Sequence, residues 1–402
     1  MKTVVIGLAG TGWAGAMHAA GYRKVYGIDC RLKTVCSLEE DRKRFADQHG
    51  FEHSTDRFEE LLNDREIQII DIATPPSLHS RMIEAALKAG KHVICEKPVT
   101  GYFGGGESTA DKTGEVSKNI MFRTVSRELE QLERAVEESG CHFFYAENWI
   151  YSPPFVRMAE LIGKKKTKLL SIEARTGHKG SHAPHAAYWR HNGGGAMIRQ
   201  GTHPVAAALY LKRKEMEARG ERYEIRSVLC DVSAIVKTAG ERGKIASLPA
   251  DVEDWGQLII TFSDGTKAAV TAGDIFLGGI LNNMTVYGTD CTFQCNMTPN
   301  DLLEVYLGDD SGVEEEEIME KNDRNLGYQK ALVIEETLRG YTGQLQDFLE
   351  CTVTGRTPES GFQLAKETLL VIYAGYCSAE QGKRIEFKDE DFAGKQNDIL
   401  SP

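Results

Sequence analysis

Short β-branched runs alternate with amphipathic stretches through the first third of the chain. Thr3–Gly7 reads as a buried strand because Val4, Val5 and Ile6 follow one another without a polar break. A turn at Gly10–Gly15 leads into a predicted helix over Ala14–Arg23. Leu32–Cys36 is a second predicted strand, and Glu39–His49 a helix with Phe45 on its apolar face. Phe58–Leu62 reads as a short helix, and Ile67–Ala73 as a strand ended by Thr74-Pro75-Pro76. His79–Ala89 reads as a helix stopped by Gly90, a residue suited to the left-handed position after a helix. His92–Cys95, Ser126–Glu138 and Cys141–Tyr145 continue the series as strand, helix and strand. Strands and helices in this alternation predict an α/β domain with a doubly wound parallel sheet. Gly101–Lys118 breaks the rhythm, being rich in Gly, Ser, Thr and Lys without an apolar period. It reads as a long loop, either a lid or a surface insertion.

After about Asn148 the pattern changes. Leu169–Ala174, Ile225–Val236, Gln257–Phe262, Thr266–Ala272, Asn283–Tyr287 and Thr292–Cys295 read as strands, with a hairpin signal at Ser263-Asp264-Gly265. Helices are expected over Val156–Leu161, His203–Leu211, Gln344–Val353 and Phe362–Gln381. Strands that follow one another without helices predict an α+β domain with a large, mainly antiparallel open sheet. With 402 residues, more than one core usually spans, two domains are expected, 1–148 and 149–402.

Composition narrows the class. The chain is 41% hydrophobic and 27% charged, and no run approaches the roughly 20 apolar residues of a membrane span. A net charge of −11 lacks the basic footprint of a nucleic-acid binder. The nine cysteines form no disulfide framework and no metal pattern, and the run Thr3-Val4-Val5-Ile6 is too short for a secretory signal. A cytoplasmic protein with reduced thiols and no metal is expected. His178, His182 and His185 have no neighbouring carboxylate or cysteine to complete a metal site, and read instead as a polar loop at a substrate cleft or a surface segment.

Gly10-Thr11-Gly12-Trp13-Ala14-Gly15 is a G-x-G-x-x-G between a predicted strand and a predicted helix. Gly10 permits the tight turn, Gly12 lets a pyrophosphate approach the backbone, and Gly15 lets helix and strand pack closely. The helix start then offers free N–H groups to the phosphates. At the end of the second strand stands Ser37, which can bond a ribose hydroxyl but does not repel a 2′-phosphate. Arg42 and Lys43 would suit that phosphate, whereas Glu39 and Glu40 would oppose it. NAD is the expected cofactor, with NADP left open.

Two further segments carry a family resemblance. One is Ala73-Thr74-Pro75-Pro76-Ser77-Leu78-His79, followed by Ala89-Gly90-Lys91-His92-Val93-Ile94-Cys95-Glu96-Lys97-Pro98. The other runs from Trp189-Arg190-His191-Asn192 through Gly193–Gly195 to Gly201-Thr202-His203. With the glycine motif, and with Gln346–Leu349 and Ala374–Arg384 near the C-terminus, the chain resembles the Gfo/Idh/MocA oxidoreductases, the glucose–fructose oxidoreductase and inositol dehydrogenase family. The resemblance implies a Rossmann domain and an NAD(P)-dependent dehydrogenase acting on a sugar, sugar acid, cyclitol or related polyol. It implies a homo-oligomer, dimer or tetramer, built on the open sheet. It makes Lys97 and His203 the catalytic pair. It places Thr74, Pro75, His79, Glu96, Trp189 and Arg190 along the cofactor, beside Gly10, Thr11, Gly12, Trp13, Ala14 and Ser37. Histidine suits proton transfer near neutrality, and a cationic lysine suits polarising a C–O bond.

The chain departs from the family pattern at two places. Where relatives usually have an aspartate, four residues before the histidine, stands Arg199. It would bind a substrate carboxylate, lower the pKa of Lys97 and His203, or form a structural ion pair. The strand leaving the first domain carries Tyr145, Glu147, Asn148 and Tyr151 at the expected edge of the cleft. Tyr145, Glu147, His182 and Arg199 therefore join Lys97 and His203 as candidate substrate-binding residues. Glu147 is expected to pair with Arg199 or bond a sugar hydroxyl, and Trp149 to pack or to stack on a sugar ring. Two other functions stay open: an enzyme that retains NAD and uses transient oxidation for elimination, isomerisation or glycoside cleavage, and a non-catalytic dinucleotide sensor.

Overall fold

Apolar strand runs and the helices between them build the first sheet. The computed structural model describes residues 2–104, 112–181, 183–298, 302–315, 318–319 and 325–387, so His182 and positions 105–111 of the expected loop lie outside the described residues. The order is β1 (Lys2–Ala9), α1 (Trp13–Tyr22), β2 (Ile28–Cys36), α2 (Arg42–His49), β3 (His53–Thr55), α3 (Phe58–Asn63), β4 (Ile69–Ile72), α4 (His79–Lys88), β5 (His92–Glu96), α5 (Lys118–Ser139) and β6 (Phe143–Ala146). All pairings are parallel and the spatial order is β3-β2-β1-β4-β5-β6. Strand order reverses between β1 and β4, which opens a crevice at their C-terminal ends. Val4–Ala9, Ile69–Ile72 and Phe143–Ala146 are buried throughout, as strands covered on both faces must be.

The second half continues with α6 (Pro153–Lys165), β7 (Leu169–Gly177), α7 (Trp189–Asn192), α8 (Ala196–Arg199), α9 (Thr202–Arg219), β8 (Ile225–Ser233), α10 (Ile235–Ala239), β9 (Trp255–Phe262), β10 (Lys267–Gly273), β11 (Leu281–Gly288) and β12 (Thr292–Asn296). After these come β13 (Leu303–Leu307), β14 (Gly327–Ala331), α11 (Glu335–Leu338), α12 (Tyr341–Thr354), α13 (Phe362–Gln381) and β15 (Ile385–Glu386). Seven strands form a sheet in the order β12-β11-β7-β10-β9-β8-β15, antiparallel except for the β7–β10 pair. Helices α9 and α13 pack on its apolar face. Helix α13 also packs on α5, and α12 lies against α1 and β1, so the C-terminal helices clamp the two sheets together. Among the described residues no helix is long and apolar enough to cross a membrane.

Several elements differ from the sequence expectation. Helix α5 begins at Lys118, eight residues before Ser126, because Glu380 of α13 accepts the Lys118 N–H (3.0 Å) and so caps a start that has no apolar period of its own. Tyr102, expected in an exposed loop, is buried and its N–H donates to the Tyr373 hydroxyl (2.7 Å). The strand expected to reach Val236 ends at Ser233, since the Asp254 carboxylate accepts the N–H groups of Ile235 (2.7 Å) and Val236 (3.0 Å) and starts α10 instead. Helix α9 runs on past Leu211 to Arg219 because Lys212 and Glu215 are fully buried as an ion cluster with Asp264.

A buried polar chain lies beneath the first turn. Tyr22 donates to Asp71 (2.7 Å), His18 Nδ1 meets the same carboxylate (2.9 Å), and His18 Nε2 meets Glu96 (3.2 Å). All four residues are buried. Burial opposes charge on the imidazole, but Asp71 and then Glu96 outweigh it and raise the His18 pKa to about 10. The imidazolium thus donates from both nitrogens and joins α1, β4 and the end of β5.

Two predictions follow from these contacts. Gly10 has φ +112°, and a Cβ there would stand 2.2 Å from the Ala73 carbonyl, whereas a Cβ at Gly12 meets nothing within 4 Å. Gly10→Ala should lower the urea-unfolding free energy by roughly 2 kcal/mol or more, and Gly12→Ala should stay within about 0.5 kcal/mol of the parent. A Gly10→Ala protein as stable as the parent would contradict this packing. The second concerns pH. The folded-state pKa of His18 lies above its ordinary 6.5, so its stabilisation is complete below that value and is lost as pH rises through about 10. Unfolding free energy measured between pH 7 and 10 should fall by up to ~1.4 kcal/mol per pH unit, and His18→Gln should flatten that slope. Parallel profiles for parent and variant would refute the charged network.

Candidate active-site cleft

A cleft of about 480 Å³ opens between the C-terminal ends of the first sheet and the start of α9. From the first lobe it is lined by Trp13, Ala14, Thr74, Glu96 and Lys97, and from the second by Thr176, His178, Arg199, Gln200, His203 and Asn282. Beside it the glycine turn closes tightly. The Gly10 N–H donates to the Cys36 carbonyl (2.8 Å), and a Cβ on Gly15 would stand 2.5 Å from the Gly10 carbonyl. The open space over Gly12, directly before the first turn of α1, fits a pyrophosphate on the helix N-terminus. Thr11 donates to the Ser37 hydroxyl (3.0 Å), which also accepts the Glu39 N–H (3.1 Å). Arg42 is drawn to the Glu39 carbonyl (3.2 Å) and Asp56 (3.5 Å).

The structure brings Lys97 and His203 to one cavity. Lys97 leaves the end of β5, its N–H held by the Glu96 carboxylate (3.0 Å), and its ammonium donates across the lobes to the Arg199 carbonyl (2.7 Å). Burial lowers the Lys97 pKa, Glu96 and Glu147 work against that, and Arg199 adds to it. His203 stands in the first turn of α9. Its Nδ1 lies 2.7 Å from Glu147 Oε1, and the Trp149 indole stacks on the ring at 5.8 Å and 6°. The Arg199 guanidinium pairs with Asp274, whose carboxylate also accepts from Gln200. His178 Nδ1 accepts the Gly180 N–H (2.9 Å), and Thr176 donates to Asn282 (3.0 Å).

Other expected site residues lie elsewhere. His79 is fully buried and does not line the cleft. Its ring lies between the carbonyls of Pro98 (2.8 Å) and Thr74 (2.9 Å), and because burial lowers its pKa the neutral ring donates to one of them. Pro75 is exposed and its neighbour Pro76 lines the cavity. Trp189 is buried against Tyr376 (4.9 Å) with the Lys118 ammonium over its ring, because α7 tucks its indole inward. Arg190 follows it outside the cavity walls, donating to His191 (3.1 Å). Tyr145 and Glu147 are fully buried behind the cleft, since β6 is covered on both faces up to its end.

Sequence reasoning missed Asp274, Thr176 and Asn282 on the substrate side, and Arg339 and Tyr341 near α1. The Arg339 guanidinium lies 5.3 Å from the Trp13 ring centroid, and Tyr341 meets the same ring edge-on at 5.9 Å. One missed feature had a readable signal: Asp71 interrupts the apolar run Ile69-Ile70-Asp71-Ile72, where a charge needs a buried partner.

The comparisons with known proteins agree with this architecture. A model of the oxidoreductase family with an NAD-binding Rossmann fold, GFO/IDH/MocA, matches residues 4–121, and the C-terminal domain model of the same family matches residues 155–294. Levoglucosan dehydrogenase of Pseudarthrobacter phenanthrenivorans is 26% identical over 337 residues, 77% of this chain and 78% of that one. Myo-inositol 2-dehydrogenase of Thermotoga maritima is 22% identical over 387 residues, 96% and 98% of the two chains. Among solved structures, GenD2 from gentamicin A biosynthesis in complex with NAD superposes with a TM-score of 0.76 at 22% identity, covering 96% of this chain and 97% of that one. With both halves matched, on a glycine turn and a two-lobed cleft of this form, the chain belongs to the Gfo/Idh/MocA family of NAD-binding oxidoreductases.

Proposed function

We propose that this protein is an NAD-dependent dehydrogenase that interconverts a secondary hydroxyl and a ketone on a neutral sugar, cyclitol or related polyol. The observation that carries the reading is the convergence of Lys97 and His203, one from each lobe, on a single cleft beside the glycine turn. Gly10, Thr11, Gly12, Trp13, Ala14 and Thr74 would hold the dinucleotide, with Glu96 placing Lys97 beside its reactive end. When bound, the nicotinamide takes or returns the hydride.

The protein's own groups handle the proton and the developing charge. The partly buried Lys97 ammonium faces the substrate oxygen and stabilises alkoxide character. Its lowered pKa makes the ammonium a readier proton donor to a developing alkoxide. His203 accepts the hydroxyl proton and passes it to solvent. Thr176, His178 and Asn282 offer hydrogen bonds to further hydroxyls. Asp274 already matches the Arg199 charge, which favours a neutral polyol over a sugar acid. NAD is favoured over NADP because Arg42 is turned to Asp56 and the Glu39 carbonyl, with Glu39 and Glu40 adjacent. The levoglucosan and inositol dehydrogenases among the relatives support the substrate class. All nine cysteines are free, which suits a reducing, cytoplasmic compartment. Self-association through the outward face of the seven-stranded sheet, where Glu173, Arg175, Thr285 and Tyr287 point away from the helices, completes the reading.

Lys97→Ala and His203→Ala should each lower kcat by ~10²-fold or more on a panel of neutral sugars and cyclitols, while NAD affinity measured by fluorescence titration changes by less than about threefold. Sugar acids should turn over more slowly than their neutral parents. Near-parental turnover in either variant would overturn the assignment. Sedimentation should show a dimer or tetramer at micromolar concentration, and a monomer there would remove the proposed interface.

A further inference from the structure

We propose that Glu147 is the positioning residue of the proton acceptor: it holds the His203 imidazole with its proton on Nδ1 and so presents Nε2 to the substrate hydroxyl. The inference rests on the reading of His203 as the group that takes the substrate proton.

Four observations carry it. Glu147 is 0% exposed and does not line the cleft, so it cannot bond a substrate directly. Its Oε1 stands 2.7 Å from His203 Nδ1, and because a carboxylate oxygen only accepts, this edge of the ring must donate. The same Oε1 accepts the backbone N–H of Trp149 (3.3 Å), and the Trp149 indole lies parallel to the imidazole at 6°. Carboxylate and indole together fix both the tautomer and the plane of the ring. Finally, Glu147 Oε2 is buried with no hydrogen-bond partner. A carboxylate retained only for stability would be expected to use both oxygens, since an open buried acceptor is costly.

The rest of the site is arranged around this contact. Arg199, four residues before His203, cannot accept a proton from the ring and is turned to Asp274. Glu147 reaches the histidine instead from the end of β6, 56 positions earlier in the chain. When the substrate hydroxyl ionises, its O–H bond breaks and an Nε2–H bond forms. The other proton stays on Nδ1 and donates to Glu147, whose negative charge stabilises the imidazolium until Nε2 releases its proton to solvent. The same carboxylate lies within electrostatic range of Lys97 and supports its positive charge.

The test uses the NAD-loaded protein with ¹⁵N-labelled histidine. In the parent, His203 should be observed as the Nδ1–H form with a downfield Nδ1 proton. In Glu147→Gln, an isosteric change, that resonance should disappear and the ring should populate the Nε2–H form. The kcat of Glu147→Gln should fall by ~10²-fold or more, with KM and NAD affinity nearly unchanged, and Glu147→Asp should recover part of the loss. On a His203→Ala background, Glu147→Gln should cost almost nothing further. A parent His203 in the Nε2–H form, which needs no variant to observe, would overturn the proposal. So would a Glu147→Gln loss confined to KM, or a full additional loss without His203. An active His203→Ala variant would sink the dehydrogenase reading itself, and the proposal would fall with it. An inactive His203→Ala variant beside a fully active Glu147→Gln would remove Glu147 alone.

Discussion

Two side chains from separate lobes can share one cavity only if the lobes are held at a fixed separation, and the hydrogen bond from the Lys97 ammonium to the Arg199 carbonyl is one of the contacts that hold them. Each end of that bond is anchored by a buried carboxylate. On the first lobe, Glu96 holds the Lys97 backbone and is itself held by the imidazolium of His18. On the second, Glu253 accepts the N–H groups of Gly195 and Met197 (both 3.0 Å) and the Tyr376 hydroxyl (2.7 Å), fixing the loop from which α8 and α9 depart. A Cβ at Gly195 would lie 2.0 Å from the Glu253 carbonyl, so the glycine there serves close packing rather than flexibility. Tyr376 lies on α13, the helix that also packs on α5, so the second-lobe anchor is tied to the clamp between the sheets.

The electrostatics follow from that geometry. Cations and anions alternate in and beneath the cleft: His18 against Asp71 and Glu96, Lys97 between Glu96 and Glu147, Arg199 against Asp274. An isolated charge at any of these buried positions would be expensive, and each is offset by a partner of opposite sign. Glu253 is the different case. Burial pushes its carboxyl upward, and the hydrogen bonds it accepts, from the Tyr376 hydroxyl and backbone N–H groups, work against that. The Lys97 ammonium itself donates to a neutral carbonyl, with Glu96 and Glu147 nearby but not hydrogen-bonded to it.

The parts legible in the sequence are those whose meaning is local. Gly10, Gly12 and Gly15 could be assigned because a turn, an approach and a packing contact each need a missing side chain within six residues of chain. The alternation of strand and helix up to Tyr145 was readable for the same reason. Partnerships across the chain were not. Asp274 stands 75 positions from Arg199, and Asp71 stands 53 from His18. Nothing near Arg199 shows that its charge is answered. Helix ends behaved likewise: Glu380 starts α5 and Asp254 starts α10 from distant segments, so local propensity misplaced both boundaries. His79 and Trp189 show a further limit. A resemblance places a residue near a site, but which way its ring turns depends on the packing around it. Here the His79 ring turns toward two backbone carbonyls and the Trp189 ring packs on Tyr376.

The arginine four residues before the histidine then reads as one half of a paired change. A carboxylate at that position would stand at the end of α8, on the same lobe as the ring it serves. In this chain that position carries a cation, and Asp274 answers it from the residue after β10. The carboxylate beside the histidine comes from the other lobe, through Glu147 at the end of β6. The histidine's orientation is therefore a property of the interface between the lobes and not of α9 alone. Lys97 obeys the same rule in reverse, leaving the first lobe to bond a carbonyl of the second. Each member of the pair is steadied by the lobe that does not carry it. Both contacts cross between the lobes, so the separation of the lobes and the placement of Lys97 and His203 are set together.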